Sequence, residues 1–179
     1  MKTFEFSIIA SGLDPEAEDF ETRFLKVGCD DATVAFQKGH IIIDFARKAE
    51  SVASALASAV EAVRAAGAHV DRVEPDPLVS LSEIATRTGI TRAAVNLYAK
   101  GERREDFPAP VARVTSDSSL WDWAEVARWL YEHEQLARDV ALEAQIVKEA
   151  NNAIERGEAA LAELLNERER EYERTLEAA

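Results

Sequence analysis

The sequence predicts an α+β protein in three parts. These are an N-terminal β-α-β-β-α-β domain, a central pair of helices followed by a small hairpin and a packing helix, and a C-terminal long helix or helical hairpin. Three observations predict this. Apolar side chains near the N-terminus alternate with polar ones, the period of half-buried strands, between stretches that repeat at three and four residues. Residues 74–77 read Glu-Pro-Asp-Pro, where two prolines fix φ and disfavour helix in the residue before each. Beyond this linker, residues 81–100 (LSEIATRTGITRAAVNLYAK) read as a short helix, a glycine turn and a second helix. The expected boundaries are therefore 1–73, a linker at 74–77, 78–131, and a helical extension at 132–179.

In the first part, residues 2–9 place Phe4, Phe6 and Ile8 on one face of a strand. Asp14-Pro15 is a helix start, and 16–27 carries Phe20 and Phe24 four apart. Residues 32–37 align Val34 with Phe36, Lys38-Gly39 is a hairpin turn, and 40–47 aligns Ile41, Ile43 and Phe45. An alanine-rich helix over 51–66 has its stripe at Val52, Leu56, Val60 and Val63 and closes at Gly67, before a last strand at 69–73. This order resembles the ferredoxin-like fold. One sheet face would then be bare of helices, with Glu5, Ser7, Thr33, Ala35, Gln37, His40 and Asp44 on it beside Ile42. Its phenylalanines fall on the opposite, core face, which excludes base stacking on single-stranded RNA. A solvated face or a strand-to-strand dimer surface is expected there rather than a small-ligand site.

The net charge of −13 argues against nucleic acid, but it is unevenly spread. Residues 1–76 hold 8 basic and 14 acidic side chains, 77–130 hold 7 and 7, and 131–179 hold 6 and 13. Within 87–113, Arg87, Arg92, Lys100, Arg103, Arg104 and Arg113 outnumber Glu102, Glu105 and Asp106. A local basic footprint suffices for DNA, because surface charges more than about 10 Å away are largely screened. One cysteine, Cys29, excludes an internal disulfide and is expected as a plain loop or strand-edge residue. The N-terminal residues turn acidic quickly without a secretion-signal layout, and no apolar run is long enough to span a bilayer. A cytoplasmic protein without membrane contact is the expectation.

In the helix pair, Ser80 or Ser82 caps the first helix, Ala85 allows close crossing, Gly89 makes the turn and Ile90 plugs the gap. Thr91 caps the second helix and Val95 points to the core. Behind them come Gly101, Phe107-Pro108-x-Pro110-Val111, a hairpin from 111–114 and 119–121, and an Asp122/Glu125 capping box. That box opens a helix carrying Trp123, Val126, Trp129 and Leu130. Together these make a winged helix-turn-helix. The run from Gly101 through Phe-Pro-x-Pro to Trp121-x-Trp123-x-Glu125-Val126-x-x-Trp129-Leu130 resembles the AlpA, excisionase and MerR-like winged-helix proteins.

The resemblance implies double-stranded DNA as partner, with Thr91, Arg92, Ala93 and Asn96 facing base edges. It also implies that Tyr98, Lys100 and Arg113 lie near phosphates and that 115–119 is the wing tip. Independently of it, Arg92, Asn96 and Lys100 recur every four residues on one face, and their side chains suit guanine, adenine and phosphate. Arg103 and Arg104 follow at the helix exit. The tip, TSDSS, lacks the Arg or Lys that a narrow minor groove attracts, so deep minor-groove reading is not expected.

The last part has an apolar stripe through Leu136, Val140, Ala144, Val147, Ala150 and Ile154, interrupted at Asn151-Asn152 and Gly157 and resumed at Leu161, Leu164 and Leu165. The end, EREREYER over 167–174, is polar all round and expected to fray. Such a stripe needs a partner, either the chain's own domains or an antiparallel coiled coil with a second copy. A homodimer through this helix is expected by analogy with MerR-like proteins.

Enzyme chemistry is not expected. The seven glycines do not cluster into a phosphate loop, and the three histidines and one cysteine are scattered, so neither metal nor cofactor is indicated. The expected function is a sequence-specific DNA-binding regulator from a bacterium or phage. The alternatives are an antitoxin or immunity-type protein that binds a partner through its first domain or last helix and autoregulates its operon, or a recombination directionality factor.

Overall fold

A computed structural model describes residues 1–179. It is an α+β chain with one four-stranded antiparallel sheet and seven helices. Two compact units divide it, one formed by residues 1–75 with 146–174 and the other by 76–145 with 175–179.

In the first unit, β1 (Lys2–Ser11), β2 (Ala32–Gln37), β3 (His40–Ala49) and β4 (His69–Glu74) are ordered β2-β3-β1-β4. The alternation that predicts β1 buries Phe4, Phe6, Ile8 and Ala10. Across the pair, Ile8 lies opposite Ile43 and Phe6 opposite Phe45, whose rings stack at 5.3 Å. Lys38 and Gly39 both take positive φ, 53° and 82°, the geometry that lets a two-residue turn follow strand twist. Phe36, expected in the core with Val34, is 48% exposed, because β2 is the sheet's outer strand.

Helix α1 (Phe20–Leu25) is shorter than the 16–27 expected, with Phe20 and Phe24 still buried. The Asp14 carboxylate accepts the Glu16 N–H at 2.9 Å, and this local turn competes with helix. Helix α2 (Val52–Ala65) is capped by Ser51, whose Oγ accepts from Ser54 N–H at 3.1 Å, and Gly67 follows at φ 94°. Its whole apolar stripe is buried.

Among the core-facing positions of β3 one is charged. The guanidinium of Arg47 is gripped by Asp31 through Nε and Nη2 at 2.8 and 2.9 Å, and also reaches Ser58 Oγ and the Gly28 carbonyl. It lies over the Phe45 ring at 4.8 Å. The hydrogen bonds from Arg47 hold the Asp31 carboxyl below its usual range. Cys29 lies in the loop before β2, but it is buried there, and burial pushes its thiol up.

Helices α3 (Leu81–Thr88), α4 (Arg92–Ala99) and α5 (Trp123–Glu132) belong to the second unit. Helices α6 (Arg138–Glu155) and α7 (Leu161–Glu177) are separated at Gly157, φ 71°. Asn151-Asn152 does not interrupt α6, because Asn151 has a tertiary role: its Oδ1 accepts the Val73 N–H at 2.7 Å and its Nδ2 donates to the Val73 carbonyl at 2.9 Å. The end expected to fray is instead helical to Glu177. Glu169, Tyr172 and Leu176 are buried, and Glu169 Oε2 accepts the Ala53 N–H at 3.0 Å in the first turn of α2. A carboxylate there also meets the positive end of the helix dipole. The apolar residues of α7, including Leu161 and Leu165, are thus consumed within the chain itself. No helix is long and apolar enough to cross a membrane.

Candidate nucleic-acid interface

The second unit builds a small scaffold around α3 and α4. Ser80 starts α3 through a reciprocal capping box: its Oγ accepts from Glu83 N–H at 3.2 Å, and Glu83 Oε1 accepts from Ser80 N–H at 3.3 Å. Gly89 ends the helix in the left-handed region, φ 74°, with its N–H on the Ala85 carbonyl. Thr91 then caps α4, its Oγ1 accepting from Ala94 N–H at 3.1 Å. Two capped helices joined by so short a turn leave little freedom in the direction of α4.

What buries α4 is a largely aromatic core. Ile84, Val95, Tyr98, Trp121, Trp123, Val126, Trp129 and Leu130 pack together, with Leu81, Ala85, Ile90 and Phe107 against them. The Trp129 ring meets Tyr98 at 5.2 Å and Phe107 at 5.1 Å, both edge-on, and Trp121 Nε1 donates to the Pro108 carbonyl at 2.9 Å. The tryptophans and Phe-Pro-x-Pro are therefore framework. Asp122 caps α5 by accepting from both Ala124 and Glu125 N–H.

The hairpin expected over 111–114 and 119–121 is reduced to one bridge, Ala112 with Leu120. Trp121–Asp122 (β6) pairs instead with Leu78–Val79 (β5), directly after the proline linker. Trp123 N–H donates to the Pro77 carbonyl at 2.8 Å and extends that contact. The loop between the bridge residues closes on itself, since Ser119 Oγ donates to the carbonyls of Arg113 and Ser116.

Each candidate residue has a definite place. Thr91, Arg92 and Ala93 form the exposed first turn of α4, and Asn96 is half-buried one turn on. Arg92 is exposed, and its Nε donates to Ser82 Oγ at 3.1 Å, a bond that does not use its two terminal nitrogens. Lys100 is exposed at the end of α4, Arg103 and Arg104 lie exposed in the loop beyond Gly101, and Arg113 is exposed at φ 50°. Tyr98, expected near phosphates, is 5% exposed, and its ring is stacked on Phe107 at 6.2 Å, which makes it a packing residue of this core.

Arg87 also leaves the basic patch. Its Nη1 donates to the Asp76 carbonyl and its guanidinium lies over Trp123 at 5.3 Å. Sequence reasoning missed Ser82, which positions Arg92 from ten residues away. It also missed the exposed Val111 and Val114, 50% and 64% accessible on either side of Arg113.

Set against known protein families, characterised proteins and solved structures, the chain matches none.

Proposed function

We propose that the protein binds duplex DNA sequence-specifically and regulates transcription, through a winged helix-turn-helix formed by α3, α4, the 111–120 loop and α5, beside a ferredoxin-like domain. The single observation that carries this reading is the first turn of α4. Thr91, Arg92 and Ala93 are exposed together at the N-terminal end of a helix whose opposite side is fixed in the core. An Arg there offers two terminal N–H groups to a guanine edge, and Asn96 one turn later suits adenine. Lys100, Arg103, Arg104 and Arg113 supply phosphate contacts around it. The order β2-β3-β1-β4 with α1 and α2 as crossovers supports the ferredoxin-like assignment. A protein reading two half-sites would space them about 34 Å apart, one turn of duplex, and would need two copies.

Selection from random duplexes at low and moderate salt tests the proposal. The expected result is one enriched motif whose affinity falls as salt rises, because phosphate contacts release counterions. Absence of any enriched sequence together with salt-independent affinity rejects it.

A further inference from the structure

We propose that β2 is a pairing edge for a second copy of this chain, joining two sheets antiparallel, β2 on β2, about a two-fold axis. The sheet order leaves two edges, β4 and β2. On the first, the Asn151 carboxamide takes both the N–H and the carbonyl of Val73 as a neighbouring strand would. The second carries no partner beyond β3.

Exposed edges are ordinarily blunted by charge, proline or a bulge. β2, Ala-Thr-Val-Ala-Phe-Gln, has no charge and no proline. Its register with β3 runs unbroken from Ala32 opposite Phe45 to Gln37 opposite His40, whereas the β1–β4 pairing shifts register at Ile9/Ala10. Thr33, Ala35, Phe36 and Gln37 are all exposed. Phe36 is 48% accessible, while its neighbour across the pair, Ile41, is 1% accessible.

Charge selects a second copy as the occupant. Net charge opposes self-association of this chain, so any attraction has to be local. β2 is an uncharged strip with exposed Asp30 before it and exposed Lys38 after it. Antiparallel pairing sets Lys38 of each copy beside Asp30 of the other, twice by symmetry, and places no like charges opposite each other within the strand. With the helix-covered faces on the same side, this register puts Val34 opposite Val34 of the other copy and Phe36 opposite its Ala32, which covers part of the exposed ring.

This deepens the proposed function by supplying the two copies that paired half-sites require, and it rests on that reading only for its use. The pairing is measured without DNA, so its failure and failure of DNA binding are separate results. Sedimentation of the full chain over rising concentration should show growth from 19.8 kDa to twice that mass. In this register Ala35→Lys sets two lysines diagonally across the axis, about 7–8 Å apart, and should weaken association by up to about fivefold, and Phe36→Lys should weaken it by removing the ring from the pair. Both positions are exposed, and unchanged circular dichroism and melting confirm the fold of each variant. Lys38→Asp should weaken the pair, and adding Asp30→Lys should restore it. A chain that stays monomeric at every concentration overturns the proposal, including the case where a different protein uses this edge. A dimer that none of these variants weakens overturns it as well.

Discussion

Asn151 completes the edge of β4: one side chain, 78 residues away in sequence, takes both backbone hydrogen-bonding groups of Val73, at 2.7 and 2.9 Å. Asn151→Ala leaves a part-buried N–H and carbonyl without protein partners, which costs about 1–3 kcal/mol. Urea unfolding followed by circular dichroism should show a lower midpoint with unchanged slope. Asn151→Asp should also destabilise, because a carboxylate cannot donate to the Val73 carbonyl. A midpoint unchanged in both variants would mean that α6 does not hold this edge.

Glu169 plays the corresponding role for α2, with its carboxylate on the Ala53 N–H at 3.0 Å. Glu169→Ala should cost about 0.5–2 kcal/mol, the range for losing a helix-capping acceptor, and Glu169→Gln should retain part of it. The same denaturation series reads both, and equal stability of the alanine variant and the parent would refute the role.

The Asp31–Arg47 pair predicts a pH dependence. Hydrogen bonds from Arg47 lower the Asp31 pKa in the folded chain, so the unfolded chain binds the proton first as acid is added. The stabilisation is fully present above the unfolded value near 3.9 and is lost as pH falls through the lower folded value. Unfolding free energy measured from pH 6 downward should therefore decline more steeply in the parent than in Asp31→Asn, which begins less stable. Parallel curves would contradict the assignment.

Within the second unit, Tyr98→Phe should leave DNA affinity unchanged, since the tyrosine is a core residue. Tyr98→Ala should destabilise by about 3–5 kcal/mol through loss of a buried aromatic. Arg92→Ala should cost about 1–3 kcal/mol at the selected sequence and relax base preference, whereas Arg113→Ala should weaken all sequences alike. Ser82→Ala, which frees Arg92 without removing it, should give a smaller loss of specificity than Arg92→Ala. Equilibrium titrations on the selected duplex and on point-changed duplexes separate these outcomes.

What was legible in sequence is what depends on neighbours along the chain. Alternation at Phe4, Phe6 and Ile8 marks β1, and Ser80, Gly89 and Thr91 mark the ends of α3 and α4, because capping and turn chemistry act within a few residues. What was not legible depends on distant partners. Asn151 reads as a helix interrupter until Val73 is beside it, and the acidic end of α7 reads as fraying until Glu169 meets α2. Residues 119–121 read as the return of a hairpin, but only Leu120 bridges back to Ala112, and Trp121 pairs with Val79 instead. In the candidate site, the exposed turn at Thr91–Ala93 follows from helical periodicity. The burial of Tyr98 does not, because Phe107 and Trp129 reach it from two other segments.

The central claim is that α4 and the cations around it contact duplex DNA. The most direct measurement is the salt dependence of affinity for the selected duplex, in the parent and after replacing Lys100, Arg103 or Arg104 by Ala. A linear fall of log affinity with log salt is predicted, its slope reduced by about 1 for each phosphate contact removed. A flat salt response in the parent, or a slope that none of the three replacements changes, would contradict it.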